Sequence, residues 1–217
     1  MELGSSIHLF LQKYLTTHQI DRNSKESRII DPGISLLPKA LPKANVERPI
    51  FFILGNNIFH GYIDFYEQID SKKWLIGDHK TCSTFRTALT PEQLKTNIQA
   101  NIYAQWAFKE LGAEEVKLNW IYYRTKGKPE ARLVEAEIKK SEATSFFEHP
   151  LKIASDIMQI VKKKPDSLSL PKNLDACFKY GPCPFLSSCR AKQKPKAYLR
   201  EEEKEKFSLS TQTFPKP

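Results

Sequence analysis

Four short segments carry residue types and spacings that could do chemistry. Gly61-Tyr62-Ile63-Asp64 and Asp78-His79-Lys80-Thr81 each end an apolar, strand-like run. In a strand, residues i and i+2 share a face, so Asp78 and Lys80 point the same way. Trp74, Leu75 and Ile76 precede them and imply a largely buried strand. A buried aspartate or lysine is costly unless paired or bound to metal. Two carboxylates brought together repel unless a cation neutralises them. The economical reading is a divalent cation held by Asp64, Asp78 and the backbone carbonyl of His79. Oxygen donors of this kind favour Mg²⁺ or Mn²⁺. Lys80 would then position or deprotonate a water attacking a phosphodiester. The plain alternative is a surface Asp–Lys pair at a strand end, because D-x-K is common by chance.

Two further segments add weight. Gln99 and Tyr103 are four apart on a helical stretch and share a face beside the stripe Leu94, Ile98 and Ile102. His8 lies on a first helix opened by Gly4-Ser5-Ser6-Ile7. Taken alone, Gln99 and Tyr103 would be flank residues and His8 an ordinary half-buried histidine.

The elements that must position these groups follow from pattern. Ile7, Phe10, Leu11, Tyr14 and Leu15 predict a helix over 4–15, and 16–45 reads as a polar loop. Strands are expected at 46–56 and 57–67, joined by a Gly-Asn-Asn turn, and at 73–80. Thr90, Pro91 and Gln93 stand at N-cap, N1 and N3 of a single long helix over 91–111, closed by Gly112. Strands at 115–124 and 130–139 follow, then a helix at 142–162 with a possible break at His149-Pro150. The expected architecture is α/β, a mixed central sheet flanked by helices. Residues 1–165 would form the core, 166–194 a cysteine-bearing segment packed on it, and 195–217 a charged tail that starts as a short helix and ends disordered.

In this order, Gly4…His8, Gly61-Tyr62-Ile63-Asp64, Asp78-His79-Lys80-Thr81 and Gln99…Tyr103 resemble the PD-(D/E)XK nuclease superfamily. The likeness is to its RecB-like branch, which includes Cas4 and AddB-type nuclease domains, and it spans about residues 3–190. It implies a restriction-endonuclease-like core and a metal-dependent DNA nuclease, an exonuclease of low sequence specificity. Asp64, Asp78 and His8 would then be metal ligands, and Lys80 the catalytic lysine. Gln99 and Tyr103 would orient that lysine or touch the nucleic acid. Glu47 matches an acid often found on the strand before G-x-[IV]-D.

Cys177, Cys183 and Cys189 follow a C-x5-C-x5-C spacing in a Pro/Lys-rich segment, unlike the C-x2-C pairs of zinc ribbons. In several RecB-like nucleases three C-terminal cysteines and one upstream of the histidine segment hold a [4Fe–4S] cluster. Here no cysteine precedes His8, and the fourth thiol is Cys82. A zinc or iron–sulfur group on these four is therefore an expectation with one ligand out of place.

Composition fits a polyanion-binding protein. The 217 residues carry 34 Lys+Arg against 25 Asp+Glu, a formal charge of +9. Lys162-Lys163-Lys164, Arg190, Lys192, Lys194 and Lys196 concentrate base after residue 160, where they could contact DNA phosphates or form a solvated tail. Trp120, Tyr122, Tyr123, Phe146 and Phe147 could stack bases or fill the core. No apolar run approaches the ~18 residues of a membrane span, and no leader is visible. The expected compartment is the cytoplasm, or that of a host if the chain is viral. Two other functions fit: a catalytically weak DNA-binding subunit or adaptor of a recombination, repair or CRISPR-adaptation complex, and an RNA nuclease.

Overall fold

Five strands pair side by side in the order β1-β2-β3-β4-β5 in the computed structural model. They are β1 (Val46–Leu54), β2 (Asn57–Gln68), β3 (Lys73–Cys82), β4 (Glu115–Arg124) and β5 (Ala131–Lys139). Four α-helices accompany them before the last strand: α1 (Leu3–Thr17), α2 (Lys25–Ile30), α3 (Pro91–Lys95) and α4 (Ile98–Glu110). The fifth, α5 (Lys140–Lys163), follows β5. The structure describes residues 3–39, 41–164 and 183–184. The chain divides into two compact units, residues 1–156 and 157–217; the sheet and the site below belong to the first. The tail expected at 195–217 lies outside the described residues.

The β3–β4 pair is parallel and the other three pairs are antiparallel, so the sheet is mixed and the fold is α/β. Helices cover both faces. On one, Ile76, Leu118, Trp120 and Val134 pack against Ala100, Tyr103, Ala104, Trp106 and Ala107 of α4. On the other, Phe65, Ile121 and Tyr123 pack against Ile7, Leu11 and Leu15 of α1 and Ile29 and Ile30 of α2. The three α1 residues recur every four positions and are at most 1% exposed. Trp120, Tyr122, Tyr123 and Phe147 are buried, so these aromatics build the core and are not free to stack bases.

Four local expectations change. Residues 16–45 are not a plain loop: Ser24 caps α2 by accepting from Ser27 N–H, and Asp31–Leu36 continue as a 3₁₀ turn that opens on Pro32. The helix expected over 91–111 is two. The Thr90/Gln93 capping box is present, but Asn97 leaves the helical region at ψ 137° and caps a fresh helix by accepting from Ala100 N–H. Asn101 then donates to the carbonyls of Lys95 and Asn97 at 2.9 and 2.8 Å, which pins the break. Conversely, α5 continues through Pro150. The β1–β2 turn is shorter than expected, two residues, with Gly55 at φ +60° where a II′ hairpin turn needs glycine.

Gly77 sets the spacing beneath the site. A Cβ built there would lie 1.8–2.4 Å from three ring atoms of Phe65. Phe65 faces Gly77 across the β2–β3 ladder, so its ring occupies the volume a side chain would take. Gly77→Ala is expected to cost at least about 3 kcal/mol in urea unfolding, the upper range for overpacking. Phe65→Ala in the same chain should recover part of that loss, a coupling between touching residues. Strictly additive losses would show that the ring is not the obstacle.

Candidate metal centre

β2 and β3 pair only from Phe65–Gln68 to Trp74–Gly77. Beyond that point their ladder ends, and Asp64 and Asp78 stand at its first unpaired positions. The β1–β2 ladder also breaks here. Its register runs through Val46–Phe65 and Arg48–Ile63 but skips Glu47–Asp64. Glu47 takes φ +49°, a left-handed conformation that costs a non-glycine residue about 1–2 kcal/mol. The strain sits where its carboxylate meets those of the other candidates.

Above this gap lies the start of α1. A Cβ on Gly4 would be only 3.4 Å from Thr81 Oγ1, so the helix begins tight against the end of β3. One turn later, His8 Nδ1 lies 3.5 Å from Asp64 Oδ2 and 3.9 Å from Glu47 Oε1. Ligand atoms of His8, Glu47 and Asp64 all fall within 4.8 Å of one another. This group could hold a metal ion. The tight triad includes Glu47, which the sequence marked only weakly, and leaves out Asp78, which it ranked among the first ligands.

Asp78 is 2% exposed and held from the α4 side. Its Oδ1 accepts from the Gln99 side-chain amide at 3.0 Å. Its Oδ2 pairs with the Lys80 ammonium at 2.7 Å. Lys80 donates to the Gln99 carbonyl at 2.9 Å. The Gln99 amide also donates to Tyr103 Oη at 2.7 Å, and the Tyr103 hydroxyl donates to the Tyr62 carbonyl at 2.6 Å. One glutamine therefore holds lysine, aspartate and tyrosine together. His79 splits its roles: its backbone N–H donates to Asp64 Oδ2 at 2.6 Å, while its ring turns to the opposite face against Phe65 and Tyr123.

The charges respond to these neighbours. Pairing with Asp64, then Glu47, raises His8 to about 10 against the opposing pull of burial. Burial pushes the Asp64 carboxyl up, but the His8 contact and the His79 N–H outweigh it and the net direction is down. Burial, then the charge of Asp64, raises Asp78 to about 6 although Lys80 opposes. Burial lowers His79 to about 4, so its ring is neutral at pH 7. Burial, then Asp78, pushes the Tyr103 phenol up, so it stays a neutral donor.

Cys82 is half-buried near the end of β3, its thiol 3.8 Å from the Tyr123 carbonyl. Burial raises its pKa, the opposite of an activated thiolate. Of its expected partners, Cys183 is half-buried in a described dipeptide, and Cys177 and Cys189 lie outside the described residues. Among the described residues no helix is long and apolar enough to cross a membrane.

No protein-family model matches this chain, and no curated protein does. Among solved structures, one from Eubacterium rectale, described as a candidate exonuclease, superposes with a TM-score of 0.50 at 11% identity. The match covers 92% of this chain and 78% of that one. A second, described as SSO0001, matches with a TM-score of 0.40 at 16% identity over 88% of this chain and 71% of that one. At such identity the likeness to the candidate exonuclease is one of fold: a nuclease-like mixed sheet flanked by helices.

His8 gives a direct test of the electrostatics. In metal-free protein its imidazole is expected to stay protonated at pH 8, with a midpoint near 10, while His79 stays neutral down to about pH 5. The sign for stability follows. The His8 contribution is complete below about 6.5 and is lost as pH rises through 10; the His79 contribution is complete above about 6.5 and is lost as pH falls through 4. Imidazole ¹⁵N NMR titration of wild type and His8→Gln checks both. A His8 midpoint at 6.5 would show that the triad does not assemble.

Proposed function

We propose that this chain is a metal-dependent nuclease of the RecB-like PD-(D/E)XK type that hydrolyses DNA phosphodiesters with low sequence specificity, working from ends or on single strands. One observation carries the reading. A buried carboxylate and a lysine on one strand face, Asp78 and Lys80, share a single glutamine beside the His8–Glu47–Asp64 group. The fold likeness to a candidate exonuclease supports it.

The donor set fits a hard divalent cation: the carboxylates of Glu47 and Asp64 and the imidazole of His8 lie together, and the Asp78 carboxylate adds its charge to Asp64. Asp64, Asp78, Glu47 and His8 would hold it, with the His79 carbonyl. Mg²⁺ or Mn²⁺ bound there supplies positive charge to the phosphate and lowers the pKa of water. His8 is the internal counter-ion of the metal-free site, and it would have to give up its proton to serve as a ligand. Asp78 ionises above about pH 6, so neutral solution leaves it a carboxylate. Lys80, fixed by Gln99 and Asp78, aims its ammonium at the water or at the charge that grows on the phosphate. Tyr103 keeps Gln99 in place. Nothing among these groups reads a base edge, which accounts for low specificity.

Asp78→Asn and Lys80→Ala should each lower Mn²⁺-dependent cleavage of labelled DNA by at least about 100-fold. Burial raises the Asp78 pKa, so its ionised form costs stability at pH 8. Asp78→Asn should therefore melt no lower than wild type while losing activity. Cleavage that survives both substitutions, or that ignores chelator, would sink the assignment.

A further inference from the structure

The β1–β2 hairpin carries a surface that hydrolysis does not use. Along its ladder Pro49 faces Tyr62, Phe51 faces His60, and Ile53 faces Ile58. Directly opposed residues share a face, so these six form two rows on one side. Phe51, Ile53, Ile58 and Tyr62 are 60, 47, 64 and 63% exposed. The alternate residues Ile50, Phe52 and Ile63 are buried, so the hairpin needs only its other face for packing. Four such side chains make a contiguous patch of roughly 400 Å², the size of the largest apolar patch on a typical monomer, a patch that is often functional.

Two features indicate the occupant. First, the patch begins where the candidate site ends. The Tyr62 carbonyl receives the Tyr103 hydroxyl, and Tyr103 is held by the glutamine that holds Lys80 and Asp78. Asp64 follows Tyr62 by two residues, about 7 Å along the strand. Second, the face mixes phenyl, phenol and imidazole rings with aliphatic ones and contains no acid. Rings without carboxylates suit nucleobases joined by phosphates. Pro49 lacks a backbone N–H, which weakens addition of a further strand along the open edge of β1.

We propose that the solvent face of the β1–β2 hairpin is a stacking track for unpaired bases, so that the site takes a single strand or a frayed end in preference to intact duplex. This rests on the phosphodiester-hydrolase reading and names its substrate class. The rings of Phe51 and Tyr62 stack on successive bases, Ile53 and Ile58 extend the apolar floor, and the scissile phosphate lies at the Asp64 end. Stacking tolerates any base, as low specificity requires.

The test separates binding from cleavage. The full chain is titrated in chelator with a fluorescein-labelled 20-mer of dT, the matching oligo-U, and a blunt 20-base-pair DNA duplex. Either single strand should bind more tightly than the duplex, and the tighter of the two identifies the sugar. Phe51→Ala and Tyr62→Ala should each weaken single-strand binding about 5- to 100-fold with little change for duplex. Tyr62→Phe should retain wild-type affinity, and unchanged melting curves show that the variants fold. Single-strand affinity unaffected by both alanine variants overturns the track. So does a wild-type dimer that becomes monomeric in Phe51→Ala, which would make the face an interface between copies. If Lys80→Ala cleaves normally while the track variants still lose single-strand binding, the hydrolase reading fails and the track stands.

Discussion

Three carboxylates cannot share a half-buried crevice without positive charge among them, and much of this fold answers that constraint. Glu47, Asp64 and Asp78 approach from β1, β2 and β3. Two cations face them from opposite sides of the sheet: His8 from α1 and Lys80 from β3 beside α4. The opposite shifts of Asp64 and Asp78 express the same arrangement. Asp64 gains more from His8 and a backbone N–H than burial takes away, whereas Asp78 lies deeper and feels the charge of Asp64. Removing either cation would leave buried negative charge uncompensated, the costly case for ionic groups in an interior.

The remaining local costs gather at the same place. Glu47 bears a left-handed backbone, and the His79 ring is fully buried with neither nitrogen hydrogen-bonded. A leucine at position 79 would pack in that cluster with less penalty, and an aspartate or glycine at 47 would relax more easily. The two apolar clusters flanking the sheet must offset these choices. Gly77 makes this possible by letting Phe65 lie flat across β3, one residue from Asp78.

Much of the architecture was legible in the sequence because strand alternation and helix periodicity are local signals. The five strands, α1 and the capping box at Thr90 follow from residues a few positions apart. The β1–β2 ladder also follows from its glycine turn. What escaped depends on distant partners. The break at Asn97 rests on Asn101 reaching back to Lys95, which a run of helix-forming residues conceals. Residues 25–36 form short helices that bury Ile29 and Ile30 in the cluster of Tyr123 and Ile121, a distant contact that local pattern does not reveal. In the site, the shared face of Asp78 and Lys80 was readable from spacing, and so was the i,i+4 pairing of Gln99 with Tyr103. The closeness of Glu47 to His8 was not, because it depends on an irregular dihedral and a gap in the ladder. A sequence clue was present: an acid two residues before Pro49, where regular pairing is easily disturbed.

The interruption before α4 has an electrostatic consequence. In one helix over 91–111, Gln99 would lie in the middle, where the backbone field largely cancels. The Asn97 cap makes Gln99 a first-turn residue at the positive end of a thirteen-residue helix, the end that bears about half an elementary charge. The acidic crevice thus has a standing source of positive potential that neither pH nor chelation removes.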